Sequence, residues 1–167
     1  MSTSDGGSDL DLRSLPARKE GFLDVASALE VQRHALAHDQ AAIHSLARLM
    51  IEAYDFEIDD PDLGYCCKAV SGILLRVQAA LEHAVGQLTA ERPSVDPMTI
   101  QETIEEQRQQ LFQAHAVVHA TAVLSVPHSR KHGDADLSAT LMSVHSSLDR
   151  IAAELEKIGG VALRLGE

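Results

Sequence analysis

The chain has 167 residues and a formal net charge of -11, from 25 acidic and 14 basic residues, with 45% hydrophobic and only 3% aromatic content. This length suffices for one domain with a sizeable core, and a core rich in Leu and Ala favours helix over strand. The basic clusters are limited to Arg18-Lys19 and Arg130-Lys131, so binding to nucleic acid or to an anionic membrane is not expected, whereas a basic protein partner suits the acidity.

The two cysteines, Cys66 and Cys67, are neighbours in the sequence. Adjacent cysteines cannot staple a fold, so a disulfide framework is excluded and a reducing cytoplasm is the predicted compartment. The first 20 residues lack the apolar run of a signal peptide, and no stretch approaches the ~20 apolar residues of a membrane span. We expect Cys66 to lie on the buried stripe of its helix and Cys67 to be the more exposed thiol.

The N-terminal segment, residues 1–20, is rich in Ser, Gly and Asp, and we predict that it is disordered. The remaining residues, 21–167, are predicted to form a single helical-bundle domain. Its first helix should run over residues 21–54, where apolar side chains recur at spacings of three and four. The apolar stripe weakens at Asp39, so a break near His38-Asp39 is one alternative and a continuous helix is the other.

Two Asp-Pro pairs indicate where the next two helices begin. Asp60 and Asp96 can each cap a helix, while Pro61 or Pro97 occupies the first helical position, where a missing N–H costs nothing. Helix 2 is predicted to extend to about Ala90. Its three glycines weaken a helix by local propensity, so we expect them to mark close contacts with a neighbouring helix. These glycines are Gly64, Gly72 and Gly86.

Helix 3 contains the most unusual stretch of the sequence. Residues Leu111 to Val126 read LFQAHAVVHATAVLSV, with no formally charged residue and apolar side chains almost all the way round the helix. A helix on a protein surface shows an apolar stripe and a polar face, so we expect this stretch to be enclosed by partners. Pro127 is predicted to end the helix, and residues 127–136 are predicted to form a polar loop.

Helix 4 carries the most regular apolar pattern, with alternating spacings of four and three that are typical of a heptad seam. The seam consists of Leu137, Leu141, Val144, Leu148, Ile151, Leu155 and Ile158. Gly159-Gly160 is predicted to end this helix. Four long amphipathic segments without a strand pattern predict an all-α fold, an antiparallel four-helix bundle. Because helices 2 and 3 each have two faces to cover, we also predict a homodimer.

Nine histidines are many for a chain of this length, and three pairs have the i, i+4 spacing that places two imidazoles on one helix face, where they can share a metal ion. These pairs are His34/His38, His115/His119 and His128/His132. The pair His115/His119 is the one on a helix that we expect to be buried. Helix 4 adds a His and an Asp at the same spacing, so antiparallel packing of helices 3 and 4 would bring the two pairs together. The candidate metal ligands are His115, His119, His145 and Asp149.

This pattern resembles part of a hemerythrin-like oxygen or metal site, whose helices also carry His-rich pairs. Such sites need a bridging Glu four residues after a His, and the residue four after His119 is Val123. A ferritin-like di-iron site needs Glu-x-x-His on two helices, and this sequence contains no such motif. The resemblance therefore covers two partial pairs, and it implies a transition metal such as Fe or Zn as the cofactor.

The sequence supports two functional hypotheses. The first is a non-catalytic, acidic helical protein-interaction module (an adaptor, regulator or chaperone-like protein) in the cytoplasm of a bacterium, self-associating and without a cofactor. The second is a metal-binding helical bundle that uses the four candidate ligands. The alternative for His115 and His119 is that they hydrogen-bond to polar groups of adjacent helices.

Overall fold

The computed structural model describes residues 14–52, 61–90, 95–132 and 135–166. These residues form four helices and no strand, so the predicted all-α fold is confirmed. The helices are α1 (Ser14–Glu52), α2 (Pro61–Leu88), α3 (Pro97–His132) and α4 (Ala135–Arg164).

Each helix packs against two others, in the cyclic order α1, α2, α3, α4, and no diagonal pair of helices is in contact over the described ranges. The contacts between α1 and α2 show their relative direction. Gln40 donates a hydrogen bond to the Ser71 hydroxyl at 3.0 Å, and Gln78 donates to the Leu36 carbonyl at 3.5 Å. Residue numbers therefore rise along α2 as they fall along α1, which makes the two helices antiparallel. The predicted antiparallel four-helix bundle is confirmed.

Buried side chains follow heptad spacings, which keep one seam of each helix facing its neighbours. On α4 the predicted seam is buried from Leu141 to Ile158, whereas Leu137 is half-buried. On α2 the buried seam differs from the predicted one, because Cys67 is buried while Cys66 is half-buried. The expected order of exposure of the two thiols is therefore wrong. The observed α2 seam is Leu63, Cys67, Val70, Leu74, Val77, Leu81, Ala84 and Leu88.

Helix α1 is continuous through Asp39, so the alternative with a break near His38 is wrong. The helix begins at Ser14, earlier than the predicted start at residue 21, and thus includes the end of the segment predicted as a tail. Pro16 lies in the first turn, where its missing N–H would have had no intrahelical partner. Residues 1–13 lie outside the described residues.

The predicted starts of α2 and α3 at proline are confirmed. At α3 the cap is visible, because the Asp96 carboxylate accepts a hydrogen bond from the Met98 backbone N–H at 3.1 Å. This bond satisfies one of the four N–H groups that a helix start leaves without partners. The corresponding Asp60 lies outside the described residues.

Two predicted helix ends are wrong. Helix α3 continues through Pro127 to His132, and α4 continues through Gly159-Gly160 to Arg164. Near Pro127, the Ser125 and Ser138 hydroxyls both donate to the Ala122 carbonyl, at 2.8 and 3.2 Å, which satisfies helix backbone close to the proline. Gly159 is buried, and a Cβ there would lie in ordinary van der Waals contact with the Ile104 side chain of α3, at 3.5 Å.

The glycines of α2 bear out the expected close contacts at one position of three. A Cβ on Gly64 would lie 2.8 Å from the Ile51 side chain of α1. A Cβ on Gly72 would meet only Arg76 of its own helix, and one on Gly86 would meet nothing within 4 Å in the described structure. The expectation of a close neighbour is therefore wrong for Gly72 and Gly86. Over the described residues, no helix combines the length and the apolar character needed to cross a membrane.

Candidate functional site

The antiparallel packing of α3 and α4 brings three of the four candidate ligands into direct contact. The rings of His115 and His145 are stacked, with centroids 3.8 Å apart and an interplanar angle of 26°. The ring of His119 lies 4.9 Å from that of His145, tilted by 43°. We call these three residues the histidine cluster. It lies in the groove between the two helices, where His115 and His145 are half-buried and His119 is exposed.

The histidine cluster is held in a partly dehydrated environment. The Nε2 atom of His115 is buried, and no described group hydrogen-bonds to it. Burial lowers the pKa of His145, and the neighbouring His115 and His119 lower it further, whereas Asp149 acts in the opposite direction. Desolvation and like charge both disfavour the protonated, imidazolium form of His145. Asp149 is exposed, one helical turn beyond His145.

The orientation of the rings is that of a stack rather than of a formed metal site. Among the described His, Cys, Asp and Glu residues, no three are placed so that they could hold a metal ion. The rings of His115 and His145 face each other, so their nitrogens do not point to a shared centre. The structure therefore brings together His115, His119 and His145 but shows no contact of Asp149 with them, and the metal site itself remains a prediction.

The other two histidine pairs differ from this cluster. His34 and His38 lie on α1, where both are exposed. The Nδ1 of His34 lies 2.9 Å from the carbonyl oxygen of Glu30 in its own helix. The side chains of His128 and His132 lie outside the described side chains, although both residues belong to α3.

The charge-free stretch of α3 is only partly enclosed by its own chain. One side of it packs in the core, where Leu111, Ala114 and Val118 are buried. The opposite side is exposed over more than three helical turns. We call this side the uncharged face; it consists of Phe112, Gln113, Ala116, His119, Ala120, Val123 and Leu124. The enclosure expected from the sequence is therefore not supplied by the other three helices.

Charged side chains border the uncharged face toward the start of α3. Glu102 and Glu106 are exposed on the preceding turns. Arg108 forms an ion pair with Glu105 at 2.6 Å, reaches Glu156 of α4 at 3.4 Å and lies over the Phe112 ring at 5.4 Å. The charged side chains in the first half of α3 therefore end about one helical turn before Phe112.

Asp39 is an unusual polar residue at the point where the apolar stripe of α1 weakens. Its Oδ2 atom is buried and has no hydrogen-bond partner among the described groups. Burial raises the pKa of Asp39, while the hydroxyl of Ser147 and the charge of Arg150, both on α4, lower it. The sequence already indicates that Asp39 lies on the core side of α1, because it follows the heptad spacing between Leu36 and Ile43.

Comparison of the chain with protein-family models, with curated proteins and with solved structures finds no match. Functional assignment therefore depends on the chemistry and geometry of the histidine cluster and the uncharged face.

Proposed function

We propose that this chain is a non-catalytic, acidic helical protein-interaction module, an adaptor, regulator or chaperone-like protein, that associates with a second copy of itself through the uncharged face of α3. The observation that carries this proposal is the exposure of a charge-free helix face on a chain with a net charge of -11. A cytoplasmic location is part of the same proposal.

Two copies that pack through the uncharged face would bury its exposed apolar side chains. Phe112, Val123 and Leu124 are 44%, 54% and 59% exposed, and burial of such apolar surface is favourable by roughly 25 cal/mol per Å². Elsewhere two copies repel each other, because both carry a large negative charge. On the uncharged face no ionised side chain has to be dehydrated when water is expelled, so the usual penalty for burying charge does not arise.

Symmetry and size limit the form of the dimer. In a two-fold symmetric dimer the same patch of both copies meets, so α3 of one copy would pack on α3 of the other. The uncharged face is about 20 Å long and about 10 Å wide. The area within these dimensions is well below the ~800 Å² that each partner buries in a standard interface. The adjoining surface of α4, where Met142 is 39% exposed, must therefore be covered too, and we expect a dimer that dissociates on dilution.

The proposal is tested by placing charge on the uncharged face. In the double variant Ala120→Glu/Leu124→Glu, two carboxylates per copy would face their counterparts across the symmetry axis. We expect the native chain to elute as a dimer in size-exclusion chromatography with light scattering, and this variant to elute as a monomer with unchanged helical circular dichroism.

The matched control is Leu75→Glu/Ala79→Glu, which places the same two charges on an exposed face of α2. This control should keep the dimer mass of the native chain. The proposal is contradicted if the α3 variant keeps that mass, or if both variants lose it to the same extent.

A further inference from the structure

We propose that the groove between α3 and α4 binds one Zn²⁺ ion, or a divalent ion of similar chemistry, through the imidazoles of His115, His119 and His145, with the Asp149 carboxylate as fourth ligand. This inference goes beyond self-association, because it assigns a ligand to the histidine cluster and does not depend on a second copy.

One of the two ring separations is close to that of a zinc site, although no three described side chains are placed to hold an ion in this conformation. Zinc binds imidazole nitrogen at about 2.0–2.1 Å with tetrahedral geometry, which places the centroids of two bound rings roughly 5 Å apart. The rings of His119 and His145 are 4.9 Å apart, and those of His115 and His145 are 3.8 Å apart. The first separation matches a shared ion, and the second is about 1 Å too short because the rings are stacked.

Metal binding requires this stack to open by rotation of side-chain bonds. The Nε2 atom of His115 is buried and has no hydrogen-bond partner among the described groups. A metal ion would give this nitrogen a partner. An unsatisfied buried polar atom costs free energy, and coordination would remove that cost. Rotation of His145, whose ring contacts both other rings, would direct its nitrogen to the ion and relieve the stacking.

The chemistry of the donor set selects the class of ion. Three imidazoles and one carboxylate suit a borderline ion such as Zn²⁺, whereas Mg²⁺ and Ca²⁺ prefer oxygen ligands. Ligation needs neutral imidazoles. Since the ligands come from two helices, a bound ion would link α3 to α4 and stabilise the folded chain by binding the native state alone.

The test is isothermal titration of the full chain, without an affinity tag or chelator, with Zn²⁺ and separately with Mg²⁺. We expect one Zn²⁺ per chain, a raised thermal unfolding temperature in Zn²⁺, and no comparable effect of Mg²⁺. The variants His115→Ala/His119→Ala and His145→Ala should each lose at least tenfold in Zn²⁺ affinity, and should lose the thermal shift.

The matched control is His34→Ala/His38→Ala, which removes a pair with the same spacing from α1. It should bind Zn²⁺ as the native chain does. Circular dichroism in the absence of metal identifies any variant that fails to fold; for such a variant His145→Gln, which keeps a polar side chain in the groove, replaces His145→Ala. The inference is overturned if the native chain binds no Zn²⁺ stoichiometrically, or if the control loses as much affinity as the cluster variants.

The Ala120→Glu/Leu124→Glu variant separates this inference from self-association, because neither new carboxylate lies three residues before or four residues after a histidine of the cluster. It retains all three histidines, so it should bind Zn²⁺ even as a monomer. Loss of the dimer with retention of Zn²⁺ would show that the two properties are independent. Loss of Zn²⁺ binding in this folded monomer would overturn a site contained within one chain.

Discussion

At the scale of single residues, Asp39 shows how a polar side chain is accommodated at a core position. It lies one turn after the buried Leu36 and one turn before the buried Ile43, and it faces Ser147 and Arg150 of α4. These groups offset only part of the cost of burial, because the pKa of Asp39 is still raised. The ionised form of Asp39 is therefore less favourable in the folded chain than in water.

Because the ionised form of Asp39 is the costly one, Asp39→Asn should raise the unfolding temperature at neutral pH. A carboxyl group whose folded pKa is raised contributes no penalty below its unfolded pKa of ~3.9; the penalty grows between the unfolded and the folded pKa and is constant above the folded pKa. The gain from Asn should therefore be present at neutral pH and vanish near pH ~4. Thermal unfolding followed by circular dichroism measures it.

The control for this prediction is Asp24→Asn on the exposed side of α1. It removes the same charge from the same helix without removing a buried carboxylate. An equal gain in both variants, or a gain for Asp39→Asn that does not shrink in acid, would contradict the role given to burial.

The adjacent thiols should differ in reactivity, because the thiolate is the reactive form of cysteine. Cys67 is 1% exposed, and burial raises its pKa to about 11. Cys66 is half-buried on the neighbouring face of α2. We expect iodoacetamide to modify Cys66 in the folded chain, and to modify Cys67 only after unfolding.

Peptide mass spectrometry after timed alkylation measures this difference. In Cys66→Ser the single remaining thiol should stay unmodified until denaturant is added. Rapid modification of Cys67 in the folded variant would contradict the burial described for α2.

At the scale of helices, the α2 pattern shows why burial is harder to predict than helix formation. Cys66 and Ile73 are apolar and lie beside Cys67 and Leu74, so two overlapping stripes satisfy helical spacing equally well. The packing of α1 and α3 against α2 selects the stripe through Cys67 and Leu74. Periodicity thus predicts the helix, while its rotation about its own axis depends on the neighbouring helices.

The two incorrect helix ends have a related cause. Pro127 and Gly159-Gly160 are local signals that end isolated helices, but both lie within helices that continue beyond them. Beyond the glycines, Ala162 is 1% exposed, and the Leu165 side chain packs against Gly21 of α1. Contacts made by the extended α4 outweigh the local preference, and such contacts are not visible in one segment of sequence.

Two glycines of α2 should respond in opposite ways to replacement by alanine. Gly72→Ala should stabilise the chain by about 0.5–1 kcal/mol, because glycine weakens a helix interior, and the new methyl would approach only Arg76, at 3.8 Å. Gly64→Ala should destabilise by about 1–3 kcal/mol through overpacking, because its methyl would lie 2.8 Å from Ile51. Urea unfolding of the two variants measures both free energies.

If α1 and α2 pack as described, the two substitutions must change the free energy of unfolding in opposite directions. Stabilisation by Gly64→Ala would show that α2 does not approach α1 as closely at this end. Destabilisation by Gly72→Ala would show that a neighbouring group occupies the space beside this glycine.

At the scale of the whole molecule, the sequence was sufficient for the helix order and for part of the site. The i, i+4 pairs at His115/His119 and His145/Asp149 needed only an antiparallel α3–α4 hairpin to meet, and that hairpin follows from four helices with short connections. The stacking of the rings could not be predicted, because side-chain rotation depends on the surrounding packing. The exposure of the uncharged face was also missed, since apolar composition alone predicts burial.

The acidic residues are distributed unevenly along the chain. The chain carries 25 acidic residues, and none of them lies between Leu111 and Val126. This stretch supplies the uncharged face on its outer side and two members of the histidine cluster toward α4. One segment of α3 thus presents both an exposed apolar surface and imidazole nitrogens next to α4.

Sedimentation equilibrium of the native chain at several concentrations tests self-association most directly. We predict a mass near twice 18.0 kDa that falls toward one chain on dilution. The dimer fraction should rise with salt, because counter-ions screen the repulsion between two acidic copies. A mass of 18.0 kDa that does not change with concentration, at both low and high salt, would contradict association through the uncharged face.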